Sequence, residues 1–152
     1  LNDELNLAEA AKRVSESTRD ISEVLREEKD KIVALVRDSK RKTQKLAFHS
    51  PCTLQHGLRI RGAAEELLTS MGFELTFVPD AHLCCGSAGT YSILQPKISK
   101  ELLANKIAAL ESGAPDIIVT ANIGCLLQLQ SAAKAPVRHW IEVLDEAMKR
   151  EQ

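Results

Sequence analysis

Aromatic side chains are scarce, with one Trp, one Tyr and three Phe in 152 residues, and none lies beside a basic cluster. That excludes a platform for stacking nucleic-acid bases. Neither sign of charge dominates: 20 Lys and Arg stand against 21 Asp and Glu, for a net charge of −1. Overall charge therefore gives no drive toward nucleic acid or anionic lipid. No run approaches the roughly 18 apolar residues of a membrane span. The opening Leu1-Asn2-Asp3-Glu4 has neither the basic nor the apolar region of an export signal. Because the chain opens on Leu1 and not on methionine, we expect a piece of a longer product. No Cys-x-x-Cys pair occurs either, and that is the usual spacing of structural zinc sites and of thiol-disulfide oxidoreductases.

What is present suits one compact unit. Apolar residues make up 44% of the chain and charged residues 27%, and a chain of this length buries about two-thirds of its unfolded surface. Charge is unevenly spread, since residues 1–45 hold 21 of the 41 charged side chains and no cysteine. In that segment Leu7, Ala11, Val14, Thr18, Ile21 and Leu25 recur at spacings of four and three, which predicts one amphipathic helix, extended by Ile32, Leu35 and Val36. Its apolar stripe would pack on its own domain or meet a partner. Lys40-Arg41-Lys42 reads as a solvated turn before the first strand.

From residue 45 onward strands and helices alternate. Leu46-Ala47-Phe48 predicts a strand ended by Pro51. Ile60, Ala64, Leu67 and Met71 predict a helix stopped by Gly72. Residues 73–78 read as a second strand and residues 79–90 as a loop rich in small residues. Pro96 suits the first position of a helix that runs through Leu103, Ile107 and Leu110 to Gly113. Ile117-Ile118-Val119 has the β-branched continuity of a strand buried on both faces. A helix follows near residues 126–133, then a short strand over 137–139 and a last helix carrying Ile141, Leu144 and Met148. For His139-Trp140 we expect packing and a hydrogen bond from the indole N–H. The fold class is α/β: a Rossmann-like parallel sheet of about four strands, with helices on both faces and a charged helical segment ahead of it. The domain division expected is a helical linker over 1–44 and an α/β domain over 45–152.

The four cysteines, Cys52, Cys84, Cys85 and Cys125, fall after the first, second and third strands. In a parallel sheet the loops leaving the carboxyl ends share one edge, so thiols separated by 31 and 39 residues become neighbours there. Helix N-termini at that edge favour thiolate. Gly86, Gly89 and Gly124 let the backbone approach a cofactor and aim N–H groups at sulfur. Adjacent Cys84 and Cys85 reach different irons of an extended cluster more easily than one zinc ion, so an iron-sulfur centre leads over zinc, over a thiol-disulfide protein and over four buried apolar groups. His49, His56 and His82 lie near the cysteines as ligands, as donors tuning the centre, or as loop histidines bonded to nearby backbone. Tyr91 either donates to the cluster's sulfur or covers the loop.

Cys52, the triplet Cys84-Cys85-Gly86 and Cys125 resemble the cysteine-rich "CCG" domain of heterodisulfide reductase and related electron-transfer subunits. The stretches His49-Ser50-Pro51-Cys52-Thr53-Leu54-Gln55-His56-Gly57, Asp80-Ala81-His82-Leu83-Cys84-Cys85-Gly86-Ser87-Ala88-Gly89-Thr90-Tyr91, Thr120-Ala121-Asn122-Ile123-Gly124-Cys125 and Pro136-Val137-Arg138-His139-Trp140-Ile141-Glu142 are similar to the C-terminal part of glycolate oxidase (glycolate dehydrogenase) iron-sulfur subunits. Residues 1–35 resemble the linker helix before that domain. The resemblance implies that Cys52, Cys84, Cys85 and Cys125 ligate an iron-sulfur cluster of the 4Fe-4S type, with zinc as the alternative. It also implies that glycolate is oxidised to glyoxylate at FAD on partner flavin subunits, and that electrons pass toward a quinone-type acceptor. No residue of this chain is then catalytic. The rest of such a subunit, with two ferredoxin-type motifs and a first CCG domain, is absent from this sequence. The expected location is cytoplasmic, peripheral to the inner face of the membrane through the complex. One departure stands out: the full motif ends Cys-x-x-Cys, and Gln128 occupies the second of those positions.

Overall fold

The computed structural model describes residues 5–36 and 43–149. The cluster Lys40-Arg41-Lys42 lies outside them. The leading charged segment is three helices, α1 (Leu5–Ser17), α2 (Ile21–Glu27) and α3 (Lys29–Val36), where one continuous helix was predicted. The interruption has a local cause. Asp20 caps α2, accepting from the Ser22 N–H at 2.9 Å, while the Glu23 carboxylate accepts from the Asp20 N–H at 3.0 Å, and such a capping box starts a helix anew. The predicted apolar stripe divides accordingly: Leu7, Val14 and Ile21 are exposed, whereas Ile32 and Val36 enter the core.

The α/β part follows with β1 (Lys45–His49), a π-helical turn (Thr53–Gly57), α4 (Ala63–Ser70), β2 (Glu74–Leu75), α5 (Tyr91–Leu94), α6 (Pro96–Glu111), β3 (Ile117–Thr120), α7 (Ile123–Gln130), β4 (Val137–His139) and α8 (Trp140–Met148). The four strands form one parallel sheet in the order β2-β1-β3-β4. Pro96 opens α6 as expected, and Gly72 follows α4 with φ +88, the left-handed conformation that ends a helix. Other boundaries move. Ile60 precedes α4, β2 is two residues long where six were predicted, and α7 begins three residues early because Asn122 caps it. An edge strand needs only one partner, and beyond Thr76, whose N–H still reaches Leu46 O at 2.9 Å, the chain turns away with Phe77 exposed.

Alternation along β1 and β3 splits the core in two. Leu46, Phe48, Ile117 and Val119 face one side, covered by α4, α8 and α3 through Leu67, Leu68, Trp140, Val143 and Ile32. Ala47 and Ile118 face the other, covered by α6 and α7 through Leu103, Ile107, Leu110 and Leu129, and there Cys85 and Cys125 join the packing. Trp140 is fully buried, but its indole Nε1 has no hydrogen-bond partner, contrary to expectation. His139 instead caps α8, its Nδ1 accepting from the Ile141 N–H at 3.4 Å.

Leu68→Ala, in the core beneath the sheet, is expected to cost about 2–5 kcal/mol in urea unfolding. Leu35→Ala, on the exposed side of α3, is expected to stay within about 0.5 kcal/mol of the parent.

Candidate metal centre

The sheet order places a topological switch between β1 and β3, because the chain leaves β1 toward β2 and returns on β1's other side as β3. Ligands of parallel sheets bind outside the carboxyl ends of strands at such a point. All four cysteines stand there. Cys52 sits three residues beyond β1 and opens the π-helical turn, Cys84 and Cys85 lie in the loop after β2, and Cys125 is the third residue of α7, in the helix and not in the loop before it. All four are free thiols, with Cys52 exposed, Cys84 half-buried, and Cys85 and Cys125 buried.

They gather as two pairs. The inner pair is Cys85 and Cys125, and His49 joins it: one ring nitrogen and the two sulfurs lie within 4.8 Å of one another, all three residues buried. The outer pair is Cys52 and Cys84, hydrogen-bonded to each other, and burial together with that neighbour pushes the Cys52 thiol up. In the inner pair Cys125 donates to Cys85. That bond, with His49 and the Ser87 N–H, holds Cys85 down to about 4, against the cost of burial. Cys125 moves the opposite way, pushed far up first by its bond to Cys85 and then by burial. The thiolate therefore belongs to Cys85 and not to the α7 N-terminus, where Asn122 Oδ1 already takes the N–H groups of Gly124 and Cys125 at 2.9 and 3.2 Å.

The loop that carries Cys84 and Cys85 is pinned from α6. Gly86 has φ +86, its N–H reaches Cys84 Sγ at 3.3 Å, and a Cβ there would stand 2.4 Å from Ser99 O. Only glycine allows that approach. Gln128 Nε2 donates to Ser99 Oγ at 3.1 Å, and Ser99 Oγ donates to Gly86 O at 2.8 Å. Gln128 thus braces the turn that holds the paired thiols. Gly124 is packed against Ser87 and Asn122 side chains, whereas Gly89, with φ +60, borders open space.

Lys106 was not singled out from the sequence. Only 2% exposed, its Nζ donates to Asp80 O at 2.9 Å and Ala81 O at 3.2 Å, clamping the loop just ahead of Cys84. Burial lowers its pKa, opposed by the nearby Cys85 and Asp80. The available signal was its place on the apolar stripe of α6, between Leu103 and Leu110. It borders a cleft of about 310 Å³ that Cys84, Asp80, Leu83 and Asn105 also line. His49 is the last residue of β1, not a loop residue, and makes no hydrogen bond of good geometry. His56 and His82 are exposed, and Tyr91 is half-buried at the start of α5.

Four gathered sulfurs, one already favoured as thiolate, and a buried imidazole beside the inner pair fit a centre of thiolate-preferring metal. Cys52, Cys84, Cys85 and Cys125 could hold it, with Gly86 N–H directed at sulfur.

Two outcomes follow for the metal-free protein. The folded Cys85 pKa of about 4 lies below the ordinary 9.0, so between those values the folded state binds fewer protons than the unfolded one and stability rises with pH. Cys125, raised, keeps its proton below pH 9 in both states and does not offset this. The thermal midpoint is expected to climb between about pH 5 and pH 8, with a flatter slope in Cys85→Ser; equal slopes would contradict the assignment. Lys106→Met leaves two carbonyls without a donor and is expected to cost about 1–3 kcal/mol, with faster amide exchange over residues 80–86 by mass spectrometry.

The model of the cysteine-rich domain (CCG) matches residues 46–130, more than half of the chain. The glycolate oxidase iron-sulfur subunit of Escherichia coli K12 is 51% identical over 144 residues, which cover 95% of this chain and 34% of that protein. Lactate utilization protein A of Bacillus licheniformis is 30% identical over 129 residues, covering 84% of this chain and 52% of that one. The probable glycolate oxidase iron-sulfur subunit of Bacillus subtilis is 36% identical over 88 residues, 57% of this chain and 20% of that protein. The chain spans a fifth to a half of the length of these relatives. The matched region runs from β1 to the end of α7 and contains all four cysteines, and the chain belongs to the cysteine-rich CCG domain family.

Proposed function

We propose that this chain is an electron-transfer domain holding an iron-sulfur centre, part of an iron-sulfur subunit that serves the oxidation of a short 2-hydroxy acid. The gathering of Cys52, Cys84, Cys85 and Cys125 at the switch point of the sheet carries this reading. The substrate class comes from the relatives: glycolate and lactate, in whose use those proteins are named, are both 2-hydroxy acids. With 51% identity to the glycolate oxidase subunit, glycolate is the substrate we favour, oxidised to glyoxylate at FAD on partner flavin subunits. Residues 1–44 act as a linker into the domain of residues 45–152, docked on it by α3 through Ile32 and Val36, and the rest of the same subunit is a further partner. A cytoplasmic location, peripheral to the inner face of the membrane through the complex, belongs to the same reading, as do a quinone-type acceptor and the 4Fe-4S form. No helix among the described residues is long and apolar enough to cross a membrane.

A bound cluster supplies one-electron transfer, its potential set by its ligands and surroundings. The chain's own residues do the rest. Cys84 and Cys85 hold adjacent positions that one small ion could not easily share, and Cys52 and Cys125 close the set from the β1 and β3 sides. Gly86 offers an N–H to sulfur, Lys106 and Ser99 keep the loop in place, and the packing around Cys85 and Cys125 excludes water from the inner side.

A second reading, a zinc-holding module that docks the flavin subunits, draws on the compact His49-Cys85-Cys125 group and on exposed Leu7, Val14 and Ile21 in the leading helices. Metal and sulfide analysis separates the two. After anaerobic reconstitution we expect iron and acid-labile sulfide in equal amounts, at least a several-fold loss of both in Cys85→Ser, and an electron paramagnetic resonance signal on reduction. Zinc without sulfide, under conditions that load a control ferredoxin, would overturn the proposal in favour of the second reading. Thiols that interconvert with a disulfide while binding neither metal would place the chain among thiol-disulfide proteins.

A further inference from the structure

We infer that His49 is a direct nitrogen ligand of the centre, alongside Cys85 and Cys125. This rests on the reading that the site holds a metal, and it replaces all-cysteine ligation: each iron of a four-iron cluster takes one terminal ligand, so with His49 bound one of the four cysteines is not a ligand. His49 ends β1 and pairs in register with Thr120, the last residue of β3. Both side chains lie on the Ala47 and Ile118 side of the sheet, the side where Cys85 and Cys125 pack. The imidazole is thus built into rigid backbone on the floor of the switch-point crevice, unlike the loop residues above it.

Its surroundings are those of a ligand. His49 is 1% exposed, and apart from the approach to Cys85 that helps hold that thiol down, neither Nδ1 nor Nε2 has a hydrogen-bond partner. A buried imidazole normally uses both nitrogens, because burial removes the water that would otherwise serve them. Here one nitrogen lies within 4.8 Å of both Cys85 Sγ and Cys125 Sγ, close enough for it to reach a metal that those sulfurs also reach. Thr120 Oγ1 is the in-register neighbour and is also buried without a partner. A hydroxyl beside a ligating imidazole can take the proton of the nitrogen that faces away from the metal and so fix the tautomer. A metal held by His49 and the two sulfurs would give the imidazole its missing partner and Thr120 an N–H to accept.

Packing alone does not explain them. An apolar residue would fill the same volume without the desolvation, and the site already has Ala47 and Ile118 beside it for that purpose. The exposed His56 and His82 serve as internal controls, close in sequence to the cysteines but not buried against them.

Pulsed electron paramagnetic resonance on the reconstituted, reduced 152-residue chain tests this. Directly bound imidazole gives a strongly coupled nitrogen. We expect that coupling in the parent and in His82→Gln, its loss in His49→Gln, and its change of isotope pattern when histidine is labelled with nitrogen-15. His49→Cys restores a donor at the same place, so it is expected to keep iron and sulfide while losing the coupling and moving the midpoint potential to more negative values. A loaded cluster with no strong nitrogen coupling, or one whose spectrum and potential are unchanged in His49→Gln and His49→Cys, would overturn the inference and leave the iron-sulfur reading standing. A parent that takes up no iron and sulfide would sink that reading instead. The inference is then decided with cobalt(II) alone: paramagnetically shifted imidazole resonances, present in the parent and absent from His49→Gln, support it, and cobalt bound without them refutes it. Circular dichroism on each variant identifies any that fail to fold, in which case His49→Cys decides.

Discussion

Parallel pairing of Leu46 with Ile117 through His49 with Thr120 holds β1 against β3 and sets where the chain leaves each strand. Shifting either strand by one residue would turn every side chain to the opposite face, sending His49 and Thr120 into the apolar layer under α4 and α8. The register is secured by what it buries. Leu46 and Val119 are wholly enclosed on one face, and Ala47 and Ile118 on the other, so a slip would expose apolar surface and bury polar groups on both sides at once. Everything at the carboxyl edge inherits its position from this pairing, including the turn that starts at Cys52 and the Asn122 cap that sets Cys125 one turn into a helix.

Around that fixed floor, the paired cysteines are held by groups distant in sequence. Lys106 and Ser99 reach from α6 to the loop that carries Cys84 and Cys85, and Gln128 reaches from α7 to Ser99 behind it. The loop itself lacks regular hydrogen bonding, so without these donors its carbonyls would be left to water, and the thiols with them. Burying an ammonium is costly, and Lys106 tolerates it because two carbonyls and the nearby thiolate compensate. The same economy explains the proton on the inner pair: two thiolates in contact would repel, so one proton stays, on Cys125, and the charge settles on Cys85 where more donors converge. α8, by contrast, is anchored by packing, since its one fully buried indole leaves its N–H without a partner.

The alternation of strands and helices was legible because it is local. β-branched Ile117-Ile118-Val119, Pro96 at a helix start and Gly72 past a helix end each carry their meaning in a few residues. The break between α1 and α2 was written in Asp20 and Glu23, but an apolar periodicity that runs through the break concealed it. The shortness of β2 was not legible, because Thr76 and Phe77 have strand character, and only their place at the edge of the sheet ends the pairing. Cysteine spacing, read with the rule that parallel strands release their loops on one side, predicted the gathering of the thiols before any coordinates.

From the sequence alone came the parallel α/β class, the edge at which the sulfurs meet and the family, since period, β-branching and motif are properties of short stretches. Tertiary structure alone decided which thiol gives up its proton, that Gln128 braces a turn, that Lys106 clamps a loop, and that His49 is buried against the inner sulfurs. Those depend on distance and dielectric between residues tens of positions apart, and such quantities exist only once the sheet has closed around them.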